Sequence, residues 1–101
     1  MIDLSVFGDL KAISLNAFAQ KPTSITDGQL EASKELWVSA DGRIKVGVWE
    51  CTAGQFTADR SAIAEYCHII SGSALVENDS ERTVREIKGG DLLVLPKGWK
   101  G

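Results

Sequence analysis

The chain has 101 residues, of which 44% are hydrophobic and 25% are charged, and its formal net charge is −3. This length suits one domain, and the composition is that of a folded globular protein rather than a disordered one. The negative charge argues against nucleic-acid binding, since modules that bind a phosphate backbone carry a basic surface.

No apolar run approaches the roughly 20 residues that a membrane-spanning helix needs. The start of the chain, Met1-Ile2-Asp3-Leu4, lacks the basic residues and the apolar stretch of a signal peptide. We therefore expect a cytoplasmic protein that has neither a nucleic acid nor a membrane as its partner. In a reducing compartment the two cysteines, Cys51 and Cys67, are expected to be free thiols.

Residues 1–34 differ from the rest of the chain in their hydrophobic pattern, because their apolar and polar residues follow no sustained period. Lys21-Pro22 is typical of a loop, since proline fixes its own φ and restricts the residue before it. We predict an irregular or edge segment over 1–34, attached to a single folded domain over 35–101.

From Glu35 onward the sequence consists of short apolar runs that are separated by turn residues. Ile44, Val46 and Val48 alternate with other residues at the period of a strand, and Asp41-Gly42 is a typical hairpin turn. This spacing leaves no room for the helices that connect parallel strands, and it predicts an all-β sandwich or barrel. The predicted strands are 36–38, 43–51, 66–70, 74–76, 83–87 and 92–95.

Two patterns of spaced residues are more specific than the turn residues that any β domain contains. Glu65 is followed after six residues by Gly72, and Gly90 is followed after five residues by Pro96, with Gly98 two positions later. Gly72 allows a tight turn after a strand, and Pro96 presets φ for a sharp turn that Gly98 completes. In this order the two patterns resemble the two sequence motifs of the cupins.

Three longer runs, 47–56, 65–72 and 90–99, are similar to one group of small single-domain cupins. This group resembles the cupin domain of (S)-ureidoglycine aminohydrolase and the ethanolamine-utilisation cupins. The resemblance implies a double-stranded β-helix, or jelly roll, with a small molecule bound inside the barrel and commonly a homodimer. It does not imply one chemistry, because the fold supports many functions.

The same resemblance bears on metal binding. Metal-binding cupins carry histidines shortly before the motif glutamate and another shortly after the Pro-x-Gly turn. Here residues 58–62 contain no histidine, and the downstream position falls on Gly101. Of four expected ligands only Glu65 remains, whereas a transition metal needs three or four donors. We therefore predict no resident metal and no other cofactor.

Strand parity sorts the residues around Glu65. If Glu65 faces the barrel interior, as the motif implies, Cys67 faces inward as well, while Tyr66 and His68 face outward. His68, the only histidine, is therefore predicted to be a surface or interface residue rather than a general base. Glu65 is either a structural carboxylate that hydrogen-bonds a neighbour or a binding and acid–base carboxylate. Cys67 is either a small core residue or a nucleophile.

Three functions remain open at this point. The first is a metal-free protein that binds or acts on a ureido compound, a small carboxylate or a sugar-like molecule. The second is a metal-dependent enzyme with the non-standard ligands Glu65, Asp59 and Cys67, and the third is a non-catalytic sensing or assembly protein. The candidate catalytic residues are Glu65 and Cys67. The candidate ligand-binding residues are these two, the aromatic residues Trp49 and Trp99, and Arg60 as a bidentate clamp.

Overall fold

The computed structural model describes Met1, Asp3 and residues 5–101. Over these residues it contains nine β-strands, two short 3₁₀ turns and no α-helix. All strand pairs are antiparallel, so the predicted all-β class is confirmed. The strands are β1 (Ala19–Gln20), β2 (Leu30–Val38), β3 (Lys45–Cys51), β4 (Asp59–Arg60), β5 (Glu65–His68), β6 (Ser73–Glu77), β7 (Val84–Lys88), β8 (Leu92–Leu95) and β9 (Trp99–Lys100).

The chain forms two compact units, Met1–Phe56 and Thr57–Gly101. The first unit is a three-stranded sheet in the order β1-β2-β3. Strands β2 and β3 form a hairpin at the predicted Asp41-Gly42 turn. The Asp41 carboxylate accepts hydrogen bonds from the Ser39 hydroxyl and from the Arg43 amide, and Gly42 takes a positive φ of 71°. The turn residues thus define where the two strands begin to pair.

Strand β2 begins earlier than the sequence predicts. It starts at Leu30, so the boundary predicted at residue 34 falls inside this strand, and β1 also lies within the 1–34 segment. Residues 31–34 are mixed in polarity and have no strand pattern of their own, but they pair in register with residues 48–51 of β3. Pairing with a partner strand therefore overrides weak local propensity here. Ile2 and Leu4 of the same segment lie outside the described residues.

A buried amide organises the interior of the first unit. Gln29 is only 2% exposed, and Ala32, three positions later in the chain, is 4% exposed. The Gln29 side chain donates to the Thr52 carbonyl at 3.2 Å and accepts from the Ser24 hydroxyl at 2.6 Å. Burial of this amide is tolerated because both of its ends are hydrogen-bonded.

The second unit contains three antiparallel strand pairs, β4–β9, β5–β8 and β6–β7. Only β6 and β7 form a local hairpin, which turns through Asn78. The other two pairs join segments that are far apart in the chain: Arg60 lies opposite Trp99, and Glu65 lies opposite Leu95. Leu95 is the buried residue of this unit, at 6% exposure.

Alternation along β5 follows the predicted parity. Glu65 and Cys67 are half-buried, whereas Tyr66 and His68 are exposed, with Tyr66 at 73%. Cross-strand partners share a face, so Leu95 and Leu93 of β8 lie on the side of Glu65 and Cys67. The predicted alternation of side chains along this strand is confirmed. The face on which Glu65 lies is called the inner face of β5 below.

Candidate functional site

An ion pair occupies the inner face of β5. The Arg60 guanidinium, on β4, contacts Oε2 of Glu65 through both Nε and Nη2, and its Nη1 donates to the Asp59 carbonyl at 3.1 Å. The side chains are partly open to solvent, 28% exposed for Arg60 and 40% for Glu65. Arg60 is positioned by the pairing of β4 with β9, which makes Trp99 its cross-strand neighbour. The structure thus brings together two residues that the sequence proposed separately.

Cys67 completes this group as a hydrogen-bond donor. Its Sγ lies 3.4 Å from Oε1 of Glu65, the oxygen that Arg60 does not contact. Burial, and then the negative charge of Glu65, raise the pKa of the Cys67 thiol from 9.0 to about 11. A thiol with this pKa is protonated at neutral pH, and a protonated thiol is a poor nucleophile. The geometry therefore favours Cys67 as a support for the carboxylate and not as the nucleophile that the sequence left open.

The Arg60–Glu65 pair keeps free hydrogen-bonding capacity on both partners. A guanidinium has five N–H donors, and the contacts with Glu65 and with the Asp59 carbonyl use three of them. Among the residues that the structure describes, only the Cys67 thiol donates to Oε1 of Glu65, so a lone pair of this oxygen remains free. The pair thus presents donors beside an acceptor while its net charge is zero.

Trp99 lies at a different opening of the second unit. It lines an open groove of about 520 Å³ together with residues 78–80 and 96–100, and neither Arg60 nor Glu65 is part of that lining. A groove of this size is in the range of small-molecule sites. The indole therefore borders this groove, and the groove and the ion pair are separate features.

Trp49, the other predicted aromatic contact, belongs to the first unit. Its Nε1 donates to Oε1 of Glu31 at 2.9 Å, and its ring packs edge-to-face on Phe56 at 6.0 Å between centroids. Lys21 reaches the same carboxylate oxygen at 3.0 Å and lies over both rings. We call these four residues the Lys21 cluster. The four residues come from separate segments of the chain, which the register of the sheet brings together. For this reason only Trp49 could be named from the sequence as a candidate binding residue.

The family of the chain follows from comparison with known families. The EutQ-like cupin domain matches residues 38–101, which is more than half of the chain. The chain belongs to the EutQ-like cupin family. This assignment confirms the predicted cupin fold. A comparison with functionally curated proteins gave no match. No helix in the described part of the cupin is long and apolar enough to cross a membrane.

The residues of this cupin do not fit the metal centre of the metal-binding cupins. A Cβ atom on Gly101, where the downstream ligand would stand, would meet the Glu77 carbonyl oxygen at 2.0 Å and the Trp99 ring at 2.4 Å. Any side chain there would collide with the backbone, so the missing ligand cannot simply be restored by substitution. Glu65 is already paired with the Arg60 cation, which disfavours a second cation at the same carboxylate.

The non-standard ligand set also fails on geometry. Asp59 and Arg60 are neighbours on β4 and point to opposite faces of the strand, so Asp59 points away from the side on which Arg60 meets Glu65. The Asp59 carboxylate accepts from the amide and the hydroxyl of Ser61 and lies 3.8 Å from the Lys100 ammonium. Within the described part of the chain, no group of three His, Cys, Asp or Glu residues is arranged to hold a metal ion. The prediction that the protein carries no resident metal stays a prediction, to be tested on the purified protein.

Proposed function

We propose that this cupin binds a small, neutral ureido or amide compound through Arg60 and Glu65, without a metal ion. The observation that carries the proposal is the unsaturated hydrogen bonding of the ion pair. Free donors on Arg60 lie beside a free acceptor on Glu65, and the two charges cancel. A ureido group offers the complement, a carbonyl that accepts from Arg60 and an N–H that donates to Glu65.

Charge selects among the ligand classes that the sequence left open. A simple carboxylate has only acceptors, so it satisfies Arg60 but leaves Glu65 unpaired and repels it. A sugar-like molecule offers donors and acceptors but lacks the fixed planar pair that matches the guanidinium edge. The similarity to the cupin domain of (S)-ureidoglycine aminohydrolase, noted from the runs 47–56, 65–72 and 90–99, supports the ureido class as well.

Binding, rather than nucleophilic catalysis, is the role that these residues support. The raised pKa of Cys67 keeps its thiol protonated, so the thiol donates a hydrogen bond to the Glu65 carboxylate instead of acting as a nucleophile. We place the protein in the cytoplasm as part of the same proposal, since free thiols such as Cys51 and Cys67 are typical of reducing compartments.

The test compares matched ligands and matched variants by isothermal titration and by thermal shift. N-ethylurea is expected to bind the wild-type protein, while propionate, of similar size but negatively charged, is expected not to bind. Glu65→Gln and Arg60→Lys are each expected to weaken binding of N-ethylurea about tenfold or more, the usual effect of losing a hydrogen bond to a charged group. Glu86→Gln and Arg85→Lys, at exposed positions of β7, serve as controls.

Two outcomes contradict the proposal. If the Glu65→Gln and Arg60→Lys variants bind N-ethylurea as the wild type does, the ion pair is part of the scaffold. If elemental analysis finds about one metal ion per chain and Glu65→Gln removes it, the metal-dependent hypothesis is correct instead. The same titrations with propionate and glucose distinguish the other two ligand classes.

A further inference from the structure

The Lys21 cluster has the composition of a site that recognises an organic ammonium ion. The Lys21 ammonium lies 4.2 Å from the centroid of the Phe56 ring and 5.3 Å from that of Trp49. The two rings stand at 70° to each other, so they enclose the cation from two directions, and the Glu31 carboxylate contacts it at 3.0 Å. Aromatic faces and a carboxylate are what proteins use to bind ammonium ligands.

The cluster is built on one face of the sheet by its register. Glu31 lies opposite Cys51, and Trp49 lies opposite Ser33, two positions further along each strand, so Glu31 and Trp49 share a face. Lys21 directly follows β1, and its amide donates to the Gln29 carbonyl, which continues the pairing of β1 with β2. The backbone thus fixes the cage, formed by Glu31, Trp49 and Phe56, independently of the flexible side chain of Lys21.

The charges and polar atoms of the cage are arranged for a cation. Oε1 of Glu31 accepts from the Trp49 indole as well as from Lys21. The hydrogen bond from Trp49, followed by the interactions with Lys21, lowers the pKa of Glu31, so this carboxylate is ionised at neutral pH. Without Lys21 the cage would hold an ionised carboxylate between two aromatic faces and no cation.

The cage is also accessible. The Lys21 side chain is only 11% exposed, but Trp49 is 50% exposed. The indole borders a groove of about 250 Å³ that runs along β2 and β3 and includes Ser33 and Gly47 in its lining. Of the cage residues only Trp49 lines this groove, and the Glu31 side chain is itself 26% exposed, so the cage is open to solvent on the side of Trp49.

We propose that Glu31, Trp49 and Phe56 form a binding site for a primary organic ammonium ion, and that Lys21 occupies this site as an internal competitor when no ligand is bound. A ligand enters by displacing only the end of a lysine side chain, which leaves the sheet unchanged. This site uses residues of the first unit and is independent of the function proposed for Arg60 and Glu65.

The experiment uses n-butylammonium, which has the length and charge of the lysine side chain. Binding is followed through the indole N–H resonance of Trp49 in ¹⁵N-labelled protein, because that N–H donates to Glu31. Removal of the competitor by Lys21→Ala is expected to tighten binding about tenfold relative to the wild type. Lys11→Ala, at an exposed lysine that does not line this groove, is the matched control and is expected to bind as the wild type does.

Two comparisons make the test selective. n-Butanol, which is neutral and of the same size, is expected to leave the Trp49 resonance unchanged, and Glu31→Gln is expected to abolish the saturable shift. If Lys21→Ala does not fold, the wild-type titration decides alone: a saturable shift that Glu31→Gln removes supports the site. The proposal is overturned if n-butanol shifts the resonance as n-butylammonium does, or if folded Lys21→Ala, or the wild type in its place, shows no saturable shift.

Discussion

The thiol of Cys67 donates a hydrogen bond across 3.4 Å to Oε1 of Glu65, the residue two positions earlier on the same strand. This contact couples the ionisation of the two groups. A thiolate at Cys67 would lie against a carboxylate in a half-buried position, which is why the pKa of Cys67 rises to about 11. The thiol is therefore neutral at neutral pH and donates a hydrogen bond to the carboxylate.

The first prediction is that Cys67 reacts slowly with iodoacetamide at neutral pH. In a Cys51→Ser background, the alkylation rate should rise with a midpoint near the folded pKa of about 11, against 9.0 for the unfolded chain. Because the folded value is the higher one, the neutral thiol stabilises the fold fully below pH 9.0, and this stabilisation is lost as the pH rises toward 11. Glu65→Gln removes the negative charge and should lower the midpoint. A wild-type midpoint at or below 9.0 would contradict the assignment.

The second prediction concerns the stability of the Arg60–Glu65 pair. Both side chains are partly exposed, so the pair should contribute less than about 1 kcal/mol to the free energy of unfolding. A double-mutant cycle with Glu65→Gln and Arg60→Gln, measured by urea denaturation, gives the coupling directly. A coupling of about 3 kcal/mol or more would mean that the pair holds the fold together, in which case the ligand-binding role loses its support.

The third prediction is a pH dependence that originates in the first unit. The folded pKa of Glu31 lies below its ordinary value of 4.5, mainly because of the hydrogen bond from Trp49. A lowered carboxyl pKa stabilises the fold above the unfolded value, and that stabilisation is lost as the pH falls through the folded value. The stability difference between wild type and Glu31→Gln should therefore be constant above about pH 5.5 and shrink steadily below pH 4.5. Glu35→Gln, on the same strand, is the control, and a difference that persists unchanged to pH 2 would refute the prediction.

The fourth prediction is that the protein forms a homodimer through the outer face of β5 and β8. Tyr66, Leu92 and Val94 lie on this face with exposures of 73%, 68% and 46%, and burying such a surface between copies is favourable. Light scattering coupled to size exclusion should give twice the chain mass of 10.9 kDa, and Leu92→Lys should reduce it to one chain. Leu75→Lys, at a residue of β6 that is 74% exposed, should leave the mass unchanged. A single-chain mass for the wild type at all micromolar concentrations would exclude this interface.

Four of the six strands of the second unit, β5 to β8, could be predicted from the sequence, whereas β4 and β9 are not among the predicted strands because two residues carry no period. The period of two along β5 placed Glu65 and Cys67 on one face and Tyr66 and His68 on the other, as the structure shows. The predicted strand 92–95 coincides with β8, since a fully apolar run that ends at a proline has few alternative structures.

The start of β2 and the Lys21 cluster could not be predicted in the same way. In residues 30–34 only Leu30 and Ala32 alternate with polar residues, which is too short a pattern to predict a strand, and their strand conformation depends on pairing with β3. Lys21, Glu31 and Phe56 are far apart in sequence, and Lys21 and Glu31 lie outside the runs that resemble the cupins. Their proximity follows from the register of the sheet, which the sequence does not specify residue by residue.

The pairing of β4 with β9 determines when the Arg60–Glu65 pair can form. Arg60 is paired with Trp99, and Ala58 exchanges two backbone hydrogen bonds with Gly101, so a loop of about 40 residues must close before Arg60 has its strand partner. During synthesis, Glu65 and Cys67 leave the ribosome long before Trp99 does. The nascent chain therefore carries the Glu65 carboxylate for some time without the strand that positions the Arg60 guanidinium beside it.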